Sequence, residues 1–167
     1  HMAASYQFLR DALANEVLEA VRKASPTFFE SLVVNLLVAM GYGGSIDDAG
    51  NAVGRSSDGG IDGIIKEDKL GPDLIYVQAK RWKDSVGRPL VQAFAGSLEG
   101  FRARKGVFIT TSTFTADALD YVQKIERKIV LIDGKQLADL MIDHDVGVAS
   151  TQTYKLKRLD SDYFESV

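Results

Sequence analysis

Asp62 lies in the stretch Asp58-Gly59-Gly60-Ile61-Asp62-Gly63, and Gln78-Ala79-Lys80 follows sixteen residues later, closing the apolar run Leu74-Ile75-Tyr76-Val77. In a strand, side chains alternate between faces, so Gln78 and Lys80 belong to one face. A carboxylate on one strand, with an amide oxygen and an ammonium on its neighbour, can share a small pocket. Such a pocket suits a hard divalent cation and an activated water, the requirements of phosphodiester hydrolysis. Metal-dependent nuclease chemistry is therefore the first reading of this sequence.

The elements that must position these residues are legible from periodicity and punctuation. Tyr6 to Ala24 carries Phe8, Leu9, Leu13, Val17, Leu18 and Val21 at near-helical spacing. Ser25-Pro26 restarts a helix, with serine as cap and proline at the first position. That helix is expected to end at Met40, before Gly41, and to be buried on most faces. Gly41 to Gly60 reads as loop, with room for a short strand near Ser45-Ile46. Ile61–Glu67 and Asp73–Trp82 form a hairpin around Asp68-Lys69-Leu70-Gly71-Pro72, which brings Asp62 towards Gln78 and Lys80. Helices are expected over Val86–Ala103, Phe114–Arg127 and Gly134–Ile142, with strands at Gly106–Thr111 and Ile129–Ile132. Alternating strands and helices in this half indicate parallel pairing, so the sheet of four or five strands is mixed, with helices on both sides. The tail from Thr151 either adds an edge strand or packs loosely.

A chain of 167 residues, 46% hydrophobic and 26% charged, is about one globular domain with a single packed core. The absence of cysteine excludes disulfides and thiolate metal sites, and two histidines, His1 and His144, argue against a zinc centre. No run is long enough to span a bilayer and no signal peptide is apparent, so a cytoplasmic protein without membrane partners is expected. His1-Met2 reads as the remnant of a cleaved expression tag, with a domain expected ahead of it. The net charge of −3 disfavours indiscriminate nucleic-acid binding. Between Lys80 and Lys105, however, seven basic residues face two acidic ones. This is either a positive stretch beside the metal pocket or a solvated helix face.

The pattern resembles the catalytic domain of the Mrr family of restriction endonucleases, of the PD-(D/E)XK nuclease fold. The matching pieces, in order, are Phe29-Glu30-Ser31-Leu32-Val33 with Met40-Gly41-Tyr42-Gly43, the Asp58–Gly63 stretch, Val77-Gln78-Ala79-Lys80-Arg81, Gly106 to Ser112, and Ile132-Asp133-Gly134 with Leu137. They cover residues 28–148. The resemblance implies a restriction-endonuclease-like three-layer α/β/α domain with a mixed central sheet. It divides the chain into an N-terminal remnant and helix (1–24), a catalytic domain (25–148) and an extension (149–167). It further implies a Mg²⁺-dependent (or Mn²⁺-dependent) DNA endonuclease of type IV restriction kind, acting on methylated foreign double-stranded DNA. A missing amino-terminal winged-helix domain also follows from it, and cutting two strands, which needs two active sites or two passages, makes a homodimer the expected assembly. Gln78 stands where the wider fold has a carboxylate, which is usual in the Mrr branch. The alternatives are a same-fold nuclease acting on repair or junction DNA, and a non-catalytic DNA-binding module.

By this resemblance Asp62, Gln78 and the Ala79 carbonyl hold the metal, and Lys80 sits near the scissile phosphate. Glu30 acts through a metal-bound water or by holding Lys80; without the resemblance it is equally an exposed edge of its helix. Arg81, Lys83, Arg88 and Ser112 are candidate DNA contacts, and Trp82 either packs on sugar or base or closes a core edge. The hydroxyls of Thr110, Thr111 and Ser112 either touch phosphates or cap the helix beginning near Phe114, with capping preferred. Asp58 is an acid behind the metal ligands or, preferably, a loop residue. Asp133-Gly134 reads as a turn.

Overall fold

The computed structural model describes residues 1–43, 61–68 and 70–165. The expected strand near Ser45 and the alternative uses of Asp58 lie outside the described residues. Helices α1 (Met2–Lys23) and α2 (Pro26–Ala39) come first. Strands β1 (Gly63–Lys66) and β2 (Leu74–Lys80) follow, then α3 (Arg88–Gly100), β3 (Lys105–Thr110) and α4 (Ala116–Lys124). Strand β4 (Lys128–Ile132), α5 (Gly134–Asp143) and a terminal helical turn, α6 (Ser161–Glu165), complete the chain.

The described sheet has four strands in the order β1-β2-β3-β4. The β1–β2 hairpin is antiparallel, with Gly63 opposite Val77, and β2–β3 and β3–β4 are parallel. Each sheet face builds its own core. On one face α1, α2 and α5 pack Val17, Val21, Phe29, Leu36 and Met141 on Ile75, Val77, Val107 and Ile109. On the other, α3 and α4 pack Phe94, Leu98 and Ala118 on Phe108 and Ile129. Phe108 meets both Phe94 and Phe114 edge-on, each at 5.5 Å between ring centroids, a geometry that ring quadrupoles favour. The three-layer α/β/α expectation is met.

Most element ends follow the chemistry of their caps. The Ser25 hydroxyl accepts from Phe28 N at 3.1 Å and starts α2, and Gly41, at φ 101°, turns the chain away after it. Two helices begin later than their apolar spacing suggests. Val86 is not helical: it forms an isolated parallel bridge to Phe114 and is fully buried, so α3 waits for Gly87 and its first-turn proline. By the same bridge Phe114 stays extended, and the cap of α4 is Thr115, whose hydroxyl accepts from Ala118 N at 3.2 Å. Capping by Thr110, Thr111 or Ser112 is thereby corrected. Asp133 is likewise not a turn residue but the cap of α5, in a reciprocal box with Gln136. The tail adds no strand, and α6 buries no residue.

Gly106 sits where α3 presses on the sheet. A Cβ there would lie 2.7 Å from Leu98 Cδ1 and 2.8 Å from Phe94 Cζ, both in the core, whereas a Cβ at the exposed Gly96 of α3 would meet nothing. Gly106→Ala is therefore expected to cost about 1–3 kcal/mol by overpacking. Gly96→Ala should instead gain about 0.5–1 kcal/mol through helix entropy. Urea midpoints of the two variants moving in the same direction would contradict this packing.

Candidate active site

The hairpin ladder ends in a side-chain contact. Asp62, just before β1, donates its N–H to Val77 O at 2.8 Å, and its Oδ2 accepts from Ala79 N at 2.7 Å. One side chain thus takes the place of the next backbone rung and fixes the carboxylate beside Gln78-Ala79-Lys80. Gln78 is in register with Phe108 of β3, and Lys80 with Thr110, so both belong to the α3–α4 face of the sheet, as alternation requires. Gln78 is 9% exposed, and its Oε1 is buried with no hydrogen-bond partner among the described residues. An orphaned buried acceptor is costly, and a cation would satisfy it.

Electrostatics bring Glu30 of α2 into the same group. Burial raises the Asp62 pKa above the usual aspartate range, opposed by the Ala79 N–H and by Lys80. Burial also raises the Glu30 pKa, with repulsion from Asp62 adding to it. Two partly desolvated carboxylates that raise each other's cost are a site short of positive charge. Glu30 makes no ion pair or hydrogen bond among the described residues. The Lys80 ammonium lies 5.2 Å from the centroid of the Trp82 ring, within the range of a cation–π contact.

These residues fit a hard divalent cation. The Asp62 carboxylate and the unpartnered Gln78 oxygen are oxygen donors of the kind Mg²⁺ takes, and neither sulfur nor imidazole is present. Among the described residues no three acidic, histidine or cysteine side chains gather to hold a metal. Such a site would therefore rely on neutral amide and carbonyl oxygens beside one carboxylate.

The segment after β2 is tied to the end of β3. Thr110 Oγ1 donates to Lys80 O at 2.9 Å, while Thr111 Oγ1 accepts from Trp82 N at 3.1 Å and donates to Trp82 O at 3.0 Å. Ser112 Oγ donates to Lys83 O at 3.0 Å. These hydroxyls neither cap a helix nor stand free; they hold the chain that carries Lys80. Arg81 donates to Arg22 O at 2.8 Å, and Arg22 in turn donates to Thr111 O at 3.2 Å. Sequence reasoning missed Arg22, whose only signal was a basic residue in the last turn of a helix. Arg88 is held by Asp117 at 3.5 Å and lies over the Tyr121 ring. Lys83 is exposed and has no ion pair among the described residues.

A mixed sheet inside an α/β/α sandwich, with oxygen donors gathered at one end of its hairpin, is compatible with a nuclease domain. Residues 21–141 match the Mrr_cat family model, described as restriction endonuclease, and the chain belongs to that family. It is 54% identical over 157 residues to the type IV methyl-directed restriction enzyme EcoKMrr of Escherichia coli (strain K12), covering 94% of this chain and 51% of that protein. The chain thus spans about half the length of this curated relative. Among solved structures it resembles the MspJI restriction endonuclease in complex with a 27-mer oligonucleotide, with a TM-score of 0.57 at 25% identity, covering 77% of this chain and 31% of that one. The DNA modification-dependent restriction endonuclease AspBHI shares the fold, with a TM-score of 0.62 at 20% identity, covering 82% and 36%. No described helix is long and apolar enough to cross a membrane.

The raised pKa values carry a sign that can be checked. A carboxylate with a raised folded-state pKa costs stability at neutral pH, and the cost is relieved as pH falls through that pKa. The metal-free wild type should therefore gain stability on mild acidification. Asp62→Asn, whose side-chain oxygen can still accept from Ala79 N, should melt higher than the wild type at pH 7. Stabilisation by added Mg²⁺ should be absent from Asp62→Asn, and in the wild type it should fade as pH drops towards the raised Asp62 pKa. Thermal melts with and without Mg²⁺ across pH decide the matter.

Proposed function

We propose that this chain is the catalytic part of a methyl-directed DNA endonuclease that hydrolyses phosphodiester bonds with Mg²⁺, or Mn²⁺, at the Asp62–Lys80 site. One observation supports the reading: the Asp62 carboxylate is hydrogen-bonded to Ala79 N, between Lys80 and Gln78, whose buried oxygen has no partner among the described residues, within the stretch matched by the family. Asp62, Gln78 and the Ala79 carbonyl would hold the metal. When bound, it would supply an acidified water and charge neutralisation at the phosphate. The Lys80 ammonium would stand against the phosphate and offset charge developing on its oxygens. Glu30 would orient Lys80 or accept a proton from the attacking water. Its raised pKa suits that exchange, since a carboxylate that ionises nearer neutrality is the better base.

The unpaired Lys83 would meet the DNA backbone, whereas Arg81, Arg88 and Ser112 would have to leave intramolecular partners to do so. Residues 25–148 would form the catalytic unit, with a separate amino-terminal winged-helix domain recognising methylated double-stranded DNA in the cytoplasm. Cutting both strands calls for two sites, and a homodimer provides them.

Plasmid nicking tests the reading. The wild type should cut in Mg²⁺ or Mn²⁺ and not in EDTA. Asp62→Ala and Lys80→Ala should each lose about 10²-fold or more, the scale of losing one electrostatic contact to the transition state. Methylated plasmid should be cut in preference to unmethylated. Undiminished cutting by either variant would remove that residue from the chemistry, and equal cutting of both plasmids would remove methyl direction from this chain.

A further inference from the structure

The basic run from Lys80 to Lys105 is contiguous in sequence but not in space. Lys105 is in register with Ile75, while Lys80 is in register with Thr110, five rungs further along the parallel β2–β3 pair. At about 3.3 Å per residue that is about 16 Å. Lys80, Arg81 and Lys83 therefore sit at the catalytic end of the sheet, and Arg102, Arg104 and Lys105 at the opposite end. The expectation of one positive stretch beside the metal pocket is corrected accordingly.

At that opposite end lies an open cleft of about 1260 Å³ between the start of β2 and the C-terminal ends of α3 and α4. Some of its cations are already used: Lys105 pairs with Glu67, Lys124 with Asp120, and Arg127 with Glu99. Arg102, Arg104 and Lys128 are exposed and have no ion pair or side-chain hydrogen bond among the described residues. They line the cleft together with a stacked aromatic pair. Phe101 lies on Tyr76 with centroids 5.5 Å apart and planes at 26°, yet keeps 51% of its surface exposed. An aromatic that gives one face to a neighbour and keeps half its surface in water, in a cleft shared with cations unpaired among the described residues, matches a platform for an unpaired base with its backbone phosphates. With Asp73, Glu99 and Glu126 set against its six basic residues, the lining is still net positive, on a chain whose net charge is −3.

We propose that this cleft binds a single DNA strand, with a base stacked on Phe101 and phosphates on Arg102, Arg104 and Lys128. It would be a second nucleic-acid contact at the far end of the sheet from the Asp62–Lys80 site. Bases paired inside a duplex cannot reach a stacking platform, so the preferred ligand is single-stranded. The inference rests on the nuclease reading only in taking DNA as the polyanion at hand.

The test is fluorescence anisotropy of a labelled single-stranded oligonucleotide on the whole 167-residue chain in EDTA, with salt titration and plasmid cleavage in Mg²⁺ measured in parallel. The triple variant Arg102→Gln, Arg104→Gln, Lys128→Gln changes only exposed side chains and should melt like the wild type. It should bind at least about tenfold more weakly, with a salt slope shallower by about 2, since each single-strand phosphate contact contributes about 0.7. Phe101→Ala should lose about 5- to 150-fold, the range of one stacked base, with the salt slope unchanged. Wild-type affinity and slope in a folded triple variant would overturn the inference, as would tighter binding of duplex than of single strand. If the wild type cuts plasmid while the triple variant binds normally, the cleft fails and the nuclease reading stands. If the wild type does not cut but the variants lose binding, the reverse holds.

Discussion

Asp62 spends both its main chain and its side chain on β2: its N–H reaches Val77 O, and its carboxylate takes the N–H of Ala79, two residues further on. The rest of the site depends on this contact. It terminates the hairpin ladder with a charged acceptor instead of a backbone carbonyl, so the carboxylate lies at the strand edge where Gln78 and Lys80 emerge. The contact also compensates part of the cost of removing Asp62 from water. What it does not compensate, the repulsion from Glu30 and the empty lone pairs of Gln78 Oε1, is what a cation would supply. Partly desolvated carboxylates and a buried acceptor without a partner among the described residues are thus concentrated at one point of the fold.

Rigidity around the site comes from neutral hydrogen bonds. Three successive hydroxyls, Thr110, Thr111 and Ser112, each bind a backbone carbonyl of the segment from Lys80 to Lys83. Thr110 and Thr111 are fully buried, where a satisfied polar contact is worth more than at the surface. The segment carrying Lys80 is therefore fastened to β3, the most deeply buried strand, and through Arg22 to the last turn of α1. Preorganisation of this kind fixes the backbone that carries the Lys80 ammonium, which has no ion pair among the described residues.

The two ends of the sheet are unlike. Parallel β2 and β3 run from a cleft whose Arg102 and Arg104 are unpaired among the described residues, beside an exposed aromatic stack, to an end with partly buried carboxylates. The chain returns from one end to the other through α3, which divides the basic residues of one sequence segment between two surfaces. Charge counted along the sequence therefore misplaced them, because a crossover connection carries the chain back by a full strand length before the next strand begins.

Local chemistry was readable wherever the determinant lies within a few residues. The period-2 alternation of Leu74 to Lys80 set Gln78 and Lys80 on one face, the turn at Asp68–Pro72 made the hairpin, and Ser25-Pro26 and Gly41 bounded α2, all because sterics and hydrogen bonding act over one or two turns of chain. Val86 and Phe114 were misread as helical because their extended state is set by a bridge between segments 28 residues apart in sequence. The hydroxyls after β3 were misread as caps because their partners lie 29 or 30 residues away. Residue types and spacing were enough to name the oxygen donors a hard cation would want and the elements that carry them. Only assembly of the sheet brings Glu30 near Asp62, leaves Gln78 Oε1 without a partner among the described residues, and parts Arg102 and Arg104 from Lys80. Those outcomes depend on burial and on strand direction, and neither exists until the sheet has assembled.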